Sequence, residues 1–273
     1  MEPIHIIGFL AASLIGVSLG LIGGGGSILT VPVMVYFFGI SPMLSTAYSL
    51  FVVGSTSFFG AFKKTLSKQV CIKTSIIFSI PSLIAVYLTR RYFVPFLPDI
   101  INFPFGISLS KDLAVMLFFA LIMLVASFSM IWEKKQVKPV KHPKAPIVKY
   151  SLIGLEGLLV GSLTGIVGAG GGFLIIPALV LLGRLPMKLA VGTSLVIISI
   201  KSLVGFMGDL KMQPHLDWAF LLQFSVVAII GVYIGSYLTK YISGEKLKSG
   251  FGWFVLSISI FIFINELTQY LKL

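Results

Sequence analysis

Residues 168–183, GAGGGFLIIPALVLLG, place four glycines within five positions directly ahead of an unbroken apolar run. Residues 23–38, GGGGSILTVPVMVYFF, follow the same plan with a proline at the same relative place. Glycine admits left-handed backbone and close approach, so each cluster marks a break in an otherwise helical path. The medium decides what such a break means. Hydrophobic residues make up 57% of the chain and charged residues 11%, against about 45–50% and about 25% in a soluble domain, which leaves too little polar surface for water. Apolar stretches recur at 4–38, 41–62, 70–89, 112–132, 150–183, 186–207, 217–239 and 250–270. Each reaches the roughly 20 residues that cross a hydrocarbon core of about 30 Å. The expected fold is all-α: a polytopic membrane bundle of about eight segments whose glycine-interrupted first helices recur in two internal repeats.

The duplication is read from a slide of 145 positions, which lays Gly16, Gly20, Gly23, Gly25, Gly26 and Pro32 on Gly161, Gly165, Gly168, Gly170, Gly171 and Pro177. The same offset pairs Ser49, Leu50 and Gly60 with Ser194, Leu195 and Gly205; SPM at 41–43 faces LPM at 185–187, and YLT recurs at 87–89 and 237–239. The expected division is a first membrane repeat over 1–132, a basic linker over 133–149 and a second membrane repeat over 150–273. Duplicated membrane proteins are commonly secondary transporters that bind their solute between the repeats. Four crossings per half make the repeats parallel and an odd number makes them inverted. The sequence leaves open whether 27–38 completes a crossing or forms a re-entrant half helix.

Net charge is +12, yet the basic residues sit in connections between apolar runs, where they set orientation rather than hold nucleic acid. If every segment crosses once, Lys63, Lys64, Lys68, Lys73, the linker lysines, Lys211 and Lys272 share one side, and Arg90, Arg91, Lys111, Arg184, Lys188, Lys240, Lys246 and Lys248 the other. That count places both termini in the cytoplasm, in a cell membrane, with lipid as a partner. The linker EKKQVKPVKHPKAPIVK (133–149) reads as an exposed connection beside an anionic leaflet, with His142 solvated. Residues 91–111, with three prolines among aromatics, read as an interfacial segment. The start of the chain lacks the cationic region of a secretory signal and is expected to be retained. Trp132, Trp253, Tyr92 and Tyr150 fit interfacial anchors.

Irregular backbone inside hydrocarbon persists only where protein or a water-filled cavity surrounds it, since each unpaired polar group costs several kcal/mol. Glycine runs can turn several N–H groups toward one point, and a helix starting just after them adds its positive end. Two such nests, one per half, would face one negatively charged solute: Gly25, Gly26 and Ser27 from the first, Gly170, Gly171 and Gly172 from the second. Gly16 with Gly20 and Gly161 with Gly165, each pair at i and i+4, read instead as close helix packing. GAGGGFLIIPALVLLG followed by AVGTSLVIIS (190–199), and GGGGSILTVPVMVYFFG with STAYSL (45–50), resemble the sulfite exporter family TauE/SafE, over essentially the whole chain. The resemblance implies a secondary carrier for small sulfur-containing anions such as sulfite or sulfonates. The first copy departs from it at Tyr48, where the second has Thr193.

Lys201 lies well inside the segment 186–207, where a charge is costly and functional, or snorkels toward Gly208 about seven residues on. Thr46, Ser49, Thr193 and Ser194, with Ser45, place hydroxyls near the start of the second helix of each half, for oxyanion oxygens or for their own helix carbonyls. Glu156 reads as a snorkelled acid or a proton carrier, and Asp209, Lys211, His215 and Asp217 as a solvated loop cluster. Cys71, the only cysteine, excludes an internal disulfide and a multi-cysteine metal site. Neither glycine cluster fits a nucleotide motif, and no HExxH, GxSxG or paired buried carboxylates are present, so no enzyme, cofactor or metal is expected. An anion channel, or more remotely an intramembrane enzyme or scaffold, stands as the alternative; the oligomeric state is open.

Overall fold

In the computed structural model the described residues are 3–102, 108–132, 146–168, 170–181, 185–210, 216–239, 241 and 244–271. They form α1 (Pro3–Ile22), a 3₁₀ turn (Gly25–Leu29), α2 (Thr30–Phe38), α3 (Pro42–Leu66), α4 (Ile72–Leu88), a π-helical turn (Thr89–Phe93) and the short α5 (Val94–Phe96). A two-stranded antiparallel ribbon, β1 (Ile100–Asn102) with β2 (Ser108–Ser110), leads into α6 (Lys111–Trp132). The second half comprises α7 (Pro146–Val167), α8 (Gly172–Leu181), α9 (Met187–Asp209), α10 (Trp218–Leu238) and α11 (Gly244–Leu271). The architecture is a helical membrane bundle. Five helical stretches among the described residues are long and apolar enough to cross a membrane: 5–22, 72–96, 111–128, 187–209 and 218–238.

The bundle is apolar on its outer face and carries polar side chains among the apolar ones of its interior. On α4, Ile72, Ile76, Ile80 and Ile84 repeat every fourth residue and stand exposed, while Thr74, Ser75, Ser79 and Ser82 are buried. A soluble helix shows the opposite pattern. Of the window on α9, 72% is buried, against 39–44% for the other spans, so α9 runs through the middle. Its partner there is α3, antiparallel to it: Gly60 lies against Leu195, Gly54 against Leu203, and Gly205 against Leu50. Because protein surrounds α3, its buried face can carry Ser45, Thr46, Ser49, Thr56 and Ser57 instead of apolar side chains.

Glycine stripes bring the outer helices in. A Cβ on Gly16 or Gly20 of α1 would run into the backbone at Ala228 or Val232 of α10, and one on Gly161 of α7 would come within 2.6 Å of the Ser82 carbonyl of α4. With Gly165, whose Cβ would stand 2.8 Å from the Thr89 side chain, these four glycines take the expected close-packing role. The main helix pairs, α1 with α10, α4 with α7, α3 with α9 and α6 with α11, each join an element of the first half to one of the second.

The two glycine-broken segments are hairpins rather than single crossings. Phe38, at the end of α2, stacks on His5 near the start of α1, with ring centroids 5.4 Å apart, so α2 returns to the end of the bundle from which α1 set out. Similarly, α8 returns to the start of α9, where the Thr193 hydroxyl meets the Cys71 amide at the start of α4. Each half is therefore a helical hairpin followed by three longer helices, α3, α4 and α6 in the first and α9, α10 and α11 in the second. Contacts fix the directions: α1, α3 and α10 run one way, and α4, α7 and α9 the other, so corresponding helices of the two halves point oppositely. Segments 4–38 and 150–183 thus fold back, the re-entrant alternative that the sequence left open for 27–38.

Candidate functional site

Both hairpin turns reach the centre of the α3–α9 crossing and touch there. A Cβ on Gly24 would come within 2.6 Å of the Gly172 Cα, so the two turns meet backbone to backbone. Only glycine allows that approach from both sides. The turns differ in conformation. Gly170 and Gly171 take φ of 63° and 66°, two consecutive left-handed residues of the sort that tilt successive amides to one side. In the first copy Gly23 alone has positive φ, and Gly25–Leu29 winds into a right-handed 3₁₀ turn in which the Ser27 hydroxyl donates to the Gly24 carbonyl at 2.7 Å. Gly26 packs onto α1 at Ile15, Ser18 and Leu19.

Lys201 sits against the second turn, at 1% exposure. Its ammonium donates to the Thr164 hydroxyl at 3.1 Å and lies 2.8 Å from where a Cβ on Gly171 would stand. A Cβ on Gly170 would stand 3.3 Å from the Ser202 hydroxyl, which is buried and without a partner among the described residues. The Ser49, Thr56 and Ser57 hydroxyls of α3 are likewise buried and unpartnered among the described residues. No carboxylate pairs with Lys201 among the described residues. Under the offset of 145, Lys201 corresponds to Thr56 and Ser202 to Ser57, so one copy carries a cation where the other carries a hydroxyl. The centre thus sets the Lys201 ammonium against left-handed glycine backbone and the Thr164 hydroxyl, with the Ser202 hydroxyl beside Gly170, an arrangement suited to an oxyanion.

The remaining hydroxyls brace the scaffold. Ser194 donates to the Gly23 carbonyl at 2.8 Å, and Thr46 lies against Gly168, so each hairpin turn rests on the second helix of the other half. The Ser45 hydroxyl donates to the Ile40 carbonyl. Thr193 accepts the Cys71 amide ahead of α4, and Tyr48 accepts the Asp217 amide ahead of α10. The departure at Tyr48 and Thr193 thus keeps one task in both copies: each oxygen fixes the start of a third helix belonging to the other half.

Asp209 is not a solvated loop residue. It ends α9, 5% exposed, and faces the guanidinium of Arg90, which is 1% exposed in the π-helical turn after α4. Arg90 sits in an RR pair at the end of an apolar run, which reads as an exposed stop, and only the extra turn of helix draws it inward. Asp217 caps α10 through its carboxylate, which accepts the Phe220 amide at 2.9 Å. Lys211, His215 and His142 lie outside the described residues. Glu156 is half-buried on α7. A separate cavity of about 430 Å³ opens between the starts of α1, α3 and α10, lined by His5, Phe38, Tyr48, Asp217 and Phe220 among others. No group of three or more potential metal-binding side chains occurs among the described residues.

Known proteins resemble the chain in sequence. The family model for the sulfite exporter TauE/SafE matches residues 8–262. A probable membrane transporter protein of Xylella fastidiosa is 25% identical over 257 residues, covering 92% of each chain. The probable membrane transporter protein YunE of Bacillus subtilis is 25% identical over 246 residues, 81% of this chain and 83% of its own. A probable membrane transporter protein of Methanocaldococcus jannaschii is 29% identical over 117 residues, 41% of this chain and 43% of its own. No solved structure matches. With the match running through both glycine hairpins and α3 to α11, the chain belongs to the sulfite exporter TauE/SafE family.

Proposed function

We propose that the protein is a secondary transporter for a small sulfur-containing oxyanion, sulfite or a sulfonate, bound where the two hairpin turns meet. Gly170, Gly171 and Gly172 with Lys201, Thr164 and Ser202 form one wall, and Gly24 to Ser27 with Ser49 face them. The observation that carries this reading is the Lys201 ammonium: 1% exposed, held by one hydroxyl and set against a left-handed glycine turn at the middle of the bundle. Such a charge is expensive in a membrane interior and is retained where it meets a counter-ion or solute. The opposed directions of corresponding helices support alternating access, since exchanging the roles of two inverted repeats turns an inward-open site outward.

The hairpins also revise the orientation. Connections at the end where α3 stops and α4, α7 and α9 begin carry fifteen of the Lys and Arg residues by sequence: Lys63, Lys64, Lys68, Lys73, the six linker lysines, Arg184, Lys188, Lys240, Lys246 and Lys248. Those at the other end carry Arg90, Arg91, Lys111, Lys211 and Lys272. This bias favours a cytoplasmic linker with both termini on the outer face.

Two measurements on purified protein test the function. Sulfite, thiosulfate, a sulfonate and a carboxylate of similar size are compared as ligands in thermal unfolding, where a bound ligand raises the melting temperature by mass action. Flux into proteoliposomes is then followed against concentration. A sulfur oxyanion that stabilises the protein and moves with saturation supports a carrier; linear, non-saturating current identifies a channel, and absence of both responses removes the reading.

A further inference from the structure

Arg90 stands apart from the central site and has no part in it so far. Its guanidinium is 1% exposed, yet only Nη1 is engaged: it donates to the Thr46 hydroxyl at 2.9 Å and lies 3.4 Å from Asp209 Oδ2. Among the described residues Nε and Nη2 are buried without a partner, and Asp209 Oδ2 receives no hydrogen bond. A guanidinium brings five donors in a rigid fork, and a structural Arg–carboxylate pair ordinarily uses two of them side by side at shorter range. Here a single, long contact leaves most of the fork idle in a place where idle donors are costly.

The surroundings join this fork to the second hairpin. Thr46, which Arg90 holds, lies against Gly168 at the entry of that turn, and Thr89, the residue before Arg90, lies against Gly165. Asp209 is eight residues beyond Lys201 on α9, about 12 Å along the helix. A π-helical turn carries Arg90 inward from the end of α4, and π-turns inside helices concentrate at functional positions. Two buried cations therefore line one side of the second hairpin, one central and one toward the end where α1 begins.

We propose that Arg90 and Thr46 form a second oxyanion subsite between the central site and that end of the bundle, with Asp209 as an internal competitor. The carboxylate faces Nη1 and offsets the guanidinium charge while the subsite is empty. An arriving oxyanion takes the idle Nε and Nη2 as a bidentate pair while Asp209, facing Nη1, opposes it by charge, and handing the anion on to Lys201 leaves Nη1 facing the carboxylate as before. This step rests on the transporter reading above.

The test is the half-saturation concentration for sulfite flux in proteoliposomes, measured for wild type, Asp209→Asn, Arg90→Gln and the double variant Arg90→Gln with Asp209→Asn. Removing the competitor alone is expected to lower half-saturation severalfold. Removing the fork raises it tenfold or more, and the neutral double variant, although its ion pair is no longer needed, stays as impaired as Arg90→Gln. If the pair is only structural, Asp209→Asn and Arg90→Gln are both damaging and the double variant recovers wild-type half-saturation, which overturns the subsite and leaves the transporter reading intact. Absence of sulfite flux in wild-type protein overturns both. Should Arg90→Gln fail to fold, Asp209→Asn still decides: unchanged or raised half-saturation contradicts the subsite.

Discussion

An ammonium has three hydrogens to place, and the Lys201 ammonium places one on Thr164. The desolvation it suffers in the bundle is returned only when an anion arrives, so its value to the empty protein is small or negative. Lys201→Met is therefore expected to melt at or above the wild-type temperature while losing the stabilisation that sulfite gives wild type; thermal unfolding with and without sulfite reads both at once. A lower melting temperature with the sulfite effect retained would make Lys201 a structural residue. Asp217→Ala removes a helix cap and should cost about 1 kcal/mol of stability, read as a lower melting temperature with half-saturation unchanged. Lys201 was legible in the sequence because one charge in an apolar run is conspicuous. Thr164 and Ser202 were not, since hydroxyls are common in membrane helices and their spacing says nothing about which ones face a glycine turn. Arg90 was misplaced because its depth is set by a π-helical turn that leaves no compositional mark.

Hairpin turns that touch through bare backbone make the α1–α2 and α7–α8 elements intolerant of any side chain at their contact. Gly172→Ala puts a Cβ onto the Gly24 backbone and the Ile198 side chain, and parting these turns is expected to lower sulfite flux at least tenfold. Gly250→Ala, in α11 with nothing within 4 Å of the added carbon, should leave flux unchanged and stability level or up to about 1 kcal/mol higher. Flux of both variants, normalised to folded protein by size-exclusion chromatography, checks the contrast; equal flux would show that the turns need not meet. The glycine clusters and their prolines announced a break in each first segment. They did not announce its direction, because a helix that continues and one that folds back have the same composition. That choice was made by Phe38 reaching the rings of His5 and Phe9, a contact between residues about thirty apart.

At the scale of the whole molecule, one change of reading, from crossing to hairpin, inverts the second half and puts the end of α6 and the start of α7 opposite the start of α1. The helical membrane bundle itself followed from composition and segment length, while direction depended on contacts between distant helices. Ser67, exposed between α3 and α4, lies at the basic end. In a Cys71→Ser background, Ser67→Cys is expected to resist a membrane-impermeant maleimide in intact cells and to react in inverted vesicles, with a terminal epitope tag showing the reverse; the opposite pattern would restore cytoplasmic termini. The tight interlocking of the halves, in which α1 packs on α10 and α7 on α4, also means that access to the centre must change by relative motion of the hairpins and the α3–α9 pair, not by parting of two separate domains. All of this exists, on the present account, to hold one small anion at the meeting of the turns. The most direct test is saturable uptake of radiolabelled sulfite into proteoliposomes containing wild-type protein or Lys201→Gln. The account predicts saturable uptake for wild type and at least a tenfold loss for the variant; equal uptake by the two proteins would contradict it.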